Sequence, residues 1–183
     1  MHKIMQDSER LKILNKFARE YANGFDLLRN VKIKVINPYA VDYYPRLSHE
    51  EWNSVCENSG IEAATYVRFD ERGWVVEEES EVRENLASGK VKEIWVILFV
   101  FNEERLYDMD YLKIVSIHEL LHNLYPECSE AQIDRKTREA IEGSEYYKHL
   151  LKGSSYNYFC DPKWLRWTKT LLVAIKYFLR RPR

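Results

Sequence analysis

The sequence predicts an α+β fold, on three observations. Glu93-Ile-Trp-Val-Ile-Leu-Phe-Val-Phe101 is a nearly unbroken run of β-branched and aromatic residues, too short to span a membrane, and reads as a buried strand. Val31-Lys-Ile-Lys-Val-Ile36 alternates with period two, as a strand with one wet face does. Downstream, two helical patterns follow one another across a proline turn at Tyr125-Pro126. The expected arrangement is a small mixed sheet packed on a helix, followed by a mainly helical C-terminal part.

Taken in order, Ser8 can cap a helix carrying Leu11, Leu14, Phe17, Ala18 and Tyr21 on one face, closed by Gly24 in the C′ position. The strand 31–36 stops at Asn37-Pro38. Ser48-His-Glu-Glu51 is a capping box that opens a short helix to about Asn58, with His49 in its exposed first turn. Ala64–Phe69, Asp70-Glu-Arg-Gly73 and Trp74–Glu77 read as a β-hairpin, and Glu78–Asn85 as an acidic, solvated connector. After the strand 93–101, Asp108 or Asp110 can cap a helix whose apolar positions Leu112, Val115, Ile117, Leu120, Leu121 and Leu124 occupy most of its circumference. Ser129-Glu-Ala-Gln132 is a second capping box, so another helix begins directly after the turn. The short connection favours antiparallel packing, which returns its first turns alongside His122 and then His118.

Residues 118–122 of that buried helix read His-Glu-Leu-Leu-His. At i and i+4 the two imidazoles point from one face with Glu119 beside them, which is the donor pattern of a zinc site with its base attached. Unpartnered polar groups in a buried helix cost several kcal/mol, and a metal is the most economical partner. The packing alternative is a pair of hydrogen-bonded histidines and an ion-paired glutamate. The antiparallel return puts the third ligand near Glu130; Asp134, Cys128, Glu127 or a remote residue are the competing assignments. With three protein ligands on zinc, the fourth position takes a water acidified towards neutrality, and Glu119 is within reach of its proton. Hydrolysis of a carbonyl compound, most naturally a peptide bond, is the chemistry that follows. Tyr146, Tyr147, His149, Tyr156 and Tyr158 are candidates for stabilising the oxyanion.

Strand, HExxH helix, turn and then Glu130-Ala-Gln-Ile-Asp134 on the following helix together resemble the zincin superfamily of metallopeptidases, closest in logic to its gluzincin branch. The likeness covers roughly residues 90–142, with a spacer from His122 to Glu130 far shorter than in typical gluzincins. The resemblance implies a minimal zincin-like fold, with Glu130 as third zinc ligand, Asp134 hydrogen-bonded to His118, and one Zn2+ per chain. It further implies that the strand before the motif, 93–101, lines the cleft edge and pairs with extended substrate; its long apolar run fits a fully exposed edge poorly, so either a loop covers it or the hairpin strand is the true edge. In general character the chain is similar to small intracellular zincins of the ImmA-like or SprT-like kind. In the SprT-like proteases a more distant histidine closes the site, a part that only His149 could play here.

The 183 residues, 45% of them hydrophobic, suffice for one unaided core. We expect a zincin-like domain over 1–142 and an extension over 143–183. No secretory signal pattern opens the sequence. Cys56, Cys128 and Cys160 form no C-x-x-C pair, which argues against a closed structural zinc site and fits reduced thiols; a cytoplasmic protein is the expectation. After Asp161 come seven basic residues and no acidic one, leaving 21 Lys and Arg against 29 Asp and Glu in the rest. Trp164, Thr168, Leu171, Ile175 and Phe178 make an apolar stripe on a basic helix at about 162–180. That helix suits the chain's own core, a second subunit or an anionic membrane surface, and suits nucleic acid less. The partner expected at the site is a peptide or protein substrate. The alternative is a non-catalytic zinc-binding relative that docks a partner or a membrane.

Overall fold

Alternating and continuous apolar strands come together in a sheet whose register follows from their patterns. The computed structural model describes residues 2–38, 50, 63–69, 73–75, 79–99 and 108–152. The elements run α1 (His2–Ala22), a 3-10 turn (Asp26–Leu28), β1 (Lys32–Ile36), β2 (Ala63–Phe69), β3 (Gly73–Val75), α2 (Glu79–Ala87), β4 (Val91–Leu98), α3 (Met109–Leu124), α4 (Glu130–Glu142) and a 3-10 turn (Lys148–Lys152). The four strands form one mixed sheet in the order β1-β4-β2-β3. β1 runs parallel to β4, while β2 runs antiparallel to both β4 and β3. The α+β class is therefore as the sequence predicts.

The sheet has two different faces. Ile33, Val35, Val67, Phe69, Ile94, Val96 and Leu98 join the core that the helices build with Leu14, Phe17, Leu112, Val115 and Leu120. Such large apolar side chains contribute roughly 1.5–3 kcal/mol each when fully buried. On the opposite face Glu93 is only 2% exposed and sits in register with Lys32 on one side and Arg68 on the other. Lys34 Nζ lies 3.2 Å from its carboxylate, and Trp95 Nε1 donates to it at 3.2 Å. Burial opposes the charge, but the Trp95 and Lys34 hydrogen bonds and the neighbouring lysines outweigh it and hold the carboxyl below its ordinary range.

Four expectations need correction. α1 starts at His2, so Ser8 lies inside the helix; residues 2–7 contain no glycine or proline to delay its start. Residues Glu79–Ala87 form a helix, not a solvated connector, because Val82 and Leu86, one turn apart, are buried in the core. That helix ends in a Schellman motif: Gly89 has φ +69°, its N–H returns to Leu86 O and the Lys90 N–H to Asn85 O. The strand before the motif spans Val91–Leu98 instead of 93–101. It is central, paired on both sides, so it offers no open edge to an extended peptide; the run of apolar residues on both its faces reflects that position.

Edge strand β1 has a polar partner on its outer side. Asn15 of α1 donates from Nδ2 to Val35 O at 2.8 Å, while its Oδ1 accepts from Val35 N at 3.0 Å. One side chain thus answers both backbone groups of an edge residue, as a neighbouring strand would. Among the described residues no helix is long and apolar enough to cross a membrane. The expected helix at 48–58 with His49, apart from Glu50, lies outside the described residues, as do Cys56, Tyr156, Tyr158, Cys160 and the basic helix at 162–180.

Candidate metal centre

α3 carries the centre through the core. Asp108 caps it, its carboxylate accepting from Asp110 N at 2.9 Å, and the helix stops at Leu124 before Tyr125-Pro126. Most of its side chains are buried, His118 among them at 5% exposure; Glu119 and His122 are partly open. α4 starts at once because Ser129 and Gln132 close the capping box read from sequence, the Ser129 amide donating to Gln132 Oε1 at 2.7 Å. Glu130 is thereby fixed as the first helical residue, facing back onto α3. The turn itself is braced by Tyr125, with Lys136 Nζ 3.9 Å from its ring centre, and by an Arg83–Glu127 ion pair at 3.2 Å.

The resulting donor set is tight. His118 Nε2 and His122 Nε2 lie 3.1 Å apart. One Glu130 oxygen is 3.3 Å from His118 Nε2 and the other 3.2 Å from His122 Nε2. A tetrahedral ion with ligand distances of about 2.0–2.1 Å sets its donors about 3.3 Å apart, a spacing that the two imidazole nitrogens and the carboxylate oxygen facing each of them approach. Residues His118, His122 and Glu130 could thus hold a metal ion together. Asp134, one turn beyond Glu130, places Oδ1 3.3 Å from His118 Nδ1, on the far side of the ring from the donors. A carboxylate at that place favours the tautomer in which Nε2 offers its lone pair. Neither Nδ1 makes a full hydrogen bond among the described residues, but the Nδ1 of His122 also lacks a carboxylate beside it corresponding to Asp134.

Protons take up part of the charge in the metal-free site. Burial disfavours the imidazolium of His118, yet the Asp134 and Glu130 hydrogen bonds and the charge of Glu119 outweigh it and raise the group from 6.5 to about 9. Glu130, hydrogen-bonded first by His118 and then by His122, is held well below the usual carboxylate range. A divalent cation would satisfy the same carboxylates and displace the proton.

The structure brings together His118, His122, Glu130 and Asp134 as the sequence suggests, with Glu119 on the same helix turn. It does not bring in Cys128, which packs against the core, nor His149, whose ring nitrogen pairs with Tyr146 O at 2.9 Å. Tyr147 packs edge-on against Phe17 and Tyr21, and Tyr146 is exposed. Sequence reasoning missed Asn123, a buried amide beside the second histidine, and its partner Thr65 on β2. A polar residue amid the apolar positions of a buried helix was the available signal. Comparison with known proteins finds no matching family model, no matching curated protein and no matching solved structure.

Proposed function

We propose that the chain is a zinc-dependent peptidase of the zincin type, with His118, His122 and Glu130 on the metal, Asp134 behind His118 and Glu119 as general base. The observation that carries this reading is the carboxylate of Glu130 spanning two Nε2 atoms while Asp134 holds the opposite nitrogen of one of those rings. Two nitrogens and one carboxylate, with no cysteine in the set among the described residues, match the donors of catalytic zinc sites better than those of structural ones. Zinc bound there would supply Lewis acidity, polarising a substrate carbonyl and acidifying a water.

The chain's own groups do the rest. Glu119 neighbours His118 in sequence and is partly open to solvent, so its carboxylate can take a proton from the attacking water and return it to the leaving nitrogen. Asp134 stabilises the imidazole orientation that keeps Nε2 pointed at the site. Burial of His118 within α3 limits the movement of that ligand when the site is loaded.

The test is elemental analysis of protein purified without added metal or chelator, followed by peptide-library hydrolysis. One zinc per chain, lost in His118→Ala and weakened in Glu130→Ala, supports the ligand set. Glu119→Gln is expected to keep zinc and abolish hydrolysis. Retained hydrolysis in Glu119→Gln would remove the assigned base, and unchanged zinc in Glu130→Ala would remove the assigned ligand.

A further inference from the structure

Asn123 directly follows the second histidine and is 4% exposed. Its side-chain amide donates to Glu119 O at 2.9 Å and to Thr65 Oγ1 at 3.1 Å. Thr65 sits on β2, opposite Val96 of the central strand. A single amide therefore joins the backbone of Glu119, the turn that presents His122, and the sheet.

The location matters because α3 ends one residue later, at Leu124. The last turn of a helix lacks partners for its carbonyls and is where helices fray. Leu120, Leu121 and Leu124 hold this turn to the core, but apolar contact is non-directional and tolerates small rotations and slides. A hydrogen bond to one hydroxyl on a paired strand does not. His118 Nδ1 has the Asp134 carboxylate 3.3 Å away, whereas among the described residues no carboxylate stands beside His122 Nδ1. His122 is thus the ligand whose position depends on its helix turn instead of on a partner of its own ring.

We propose that the Thr65–Asn123 hydrogen bond is a positioning device that locks the last turn of the motif helix to β2 and so sets His122 and Glu119 relative to His118 and Glu130. The inference rests on the metal-binding part of the proposed function and not on peptidase activity. Asn123 and Thr65 touch no donor atom of the site; they act through the backbone that carries it. Truncating the tie releases a rotation of the last turn, which spreads the donor triangle without emptying it.

The experiment uses the full chain and Co2+ alone as the probe, read by its visible ligand-field absorption and by titration. Thr65→Val keeps the shape and strand preference of the side chain and removes the hydroxyl. It is expected to weaken Co2+ binding about tenfold and to shift and weaken the ligand-field bands, with the thermal midpoint little changed. Thr65→Ser, which retains the hydroxyl, is expected to restore both signals; a purely structural role would not move the spectrum in this pattern. Asn123→Leu is expected to reproduce the Thr65→Val spectrum, and the double variant to add nothing further. A Thr65→Val protein with unaltered spectrum and affinity would overturn the inference while leaving the metal centre standing. Failure of the unaltered chain to bind Co2+ or Zn2+ would overturn the metal centre first, and this inference with it. Loss of the bands in Thr65→Val from a chain that hydrolyses no peptide would uphold the inference and count against peptidase activity alone.

Discussion

Raising the pH from 6.5 to 10 should destabilise the metal-free protein, and the site's geometry sets the size of the effect. His118 is held between Asp134 on Nδ1 and Glu130 on Nε2, each at 3.3 Å, and its pKa rises from 6.5 to about 9. A pKa raised by folding means that the folded state holds the proton more tightly than the unfolded chain does. The stabilisation is therefore complete below about 6.5 and lost as pH rises through about 9. At 1.36 kcal/mol per unit, the interval corresponds to a loss of up to about 3 kcal/mol, a large share of the stability of a domain this size. The imidazole is only 7% exposed, but Glu130 and Asp134 are 50% and 40% exposed, so solvent screening makes this figure an upper bound. Urea unfolding of the chelated protein, followed by tryptophan fluorescence at pH 6, 7, 8, 9 and 10, measures the slope. His118→Gln is the control that should flatten it, and saturating zinc should reverse the trend by favouring the deprotonated ring. A metal-free protein equally stable at pH 6.5 and 9.5, or one whose loss persists unchanged in His118→Gln, would refute the reasoning.

Other expectations follow from the same structure. Asp134→Asn should weaken zinc binding about 10–100-fold in a competition assay with a chromophoric chelator, because the tautomer of His118 loses its anchor while all three donors remain. Asn15→Leu should lower the unfolding free energy by about 2–3 kcal/mol in urea titration, since Val35 N and O would both be left without their partner on the sheet edge. Gly89→Ala should destabilise by about 1 kcal/mol, measured as a drop in Tm: nothing lies within 4 Å of the added Cβ, so the cost is the φ of +69° alone. On the acid side, the depressed Glu130 contributes stability present above about 4.5 and lost as pH falls, so Glu130→Gln should blunt acid unfolding of the chelated protein.

The parts of the molecule legible in the sequence are those set by local chemistry. Asp108, the proline after Tyr125 and the Ser129–Gln132 box each act within a turn of the chain, and each does what its type predicts. The spacing of Glu130 and Asp134 could likewise be read, because a helix places residues four apart on one face. α2 was hidden by its composition: polar and charged residues dominate it, and only Val82 and Leu86 with Gly89 behind them betray a buried face. Strand order was beyond local reading, although the apolar run of β4 on both faces already spoke for a central place. Asn15 with Val35, and Asn123 with Thr65, are long-range pairs, and nothing in the sequence names the partner of a buried amide.

Among the described residues, the donors that could hold a metal lie between residues 118 and 130, on two consecutive helices joined by a short turn. Bringing them together closes a small loop, so little chain entropy is lost in doing so. Assembly of the centre is consequently a local event that does not wait for β1 to find β4 across some sixty residues of sequence. A metal ion captured by this helical hairpin during folding would hold α4 against α3 while the sheet is still incomplete. The order in which the chain matures would then run from its metal outward, with the slow non-local strand pairing finishing around a centre that already exists.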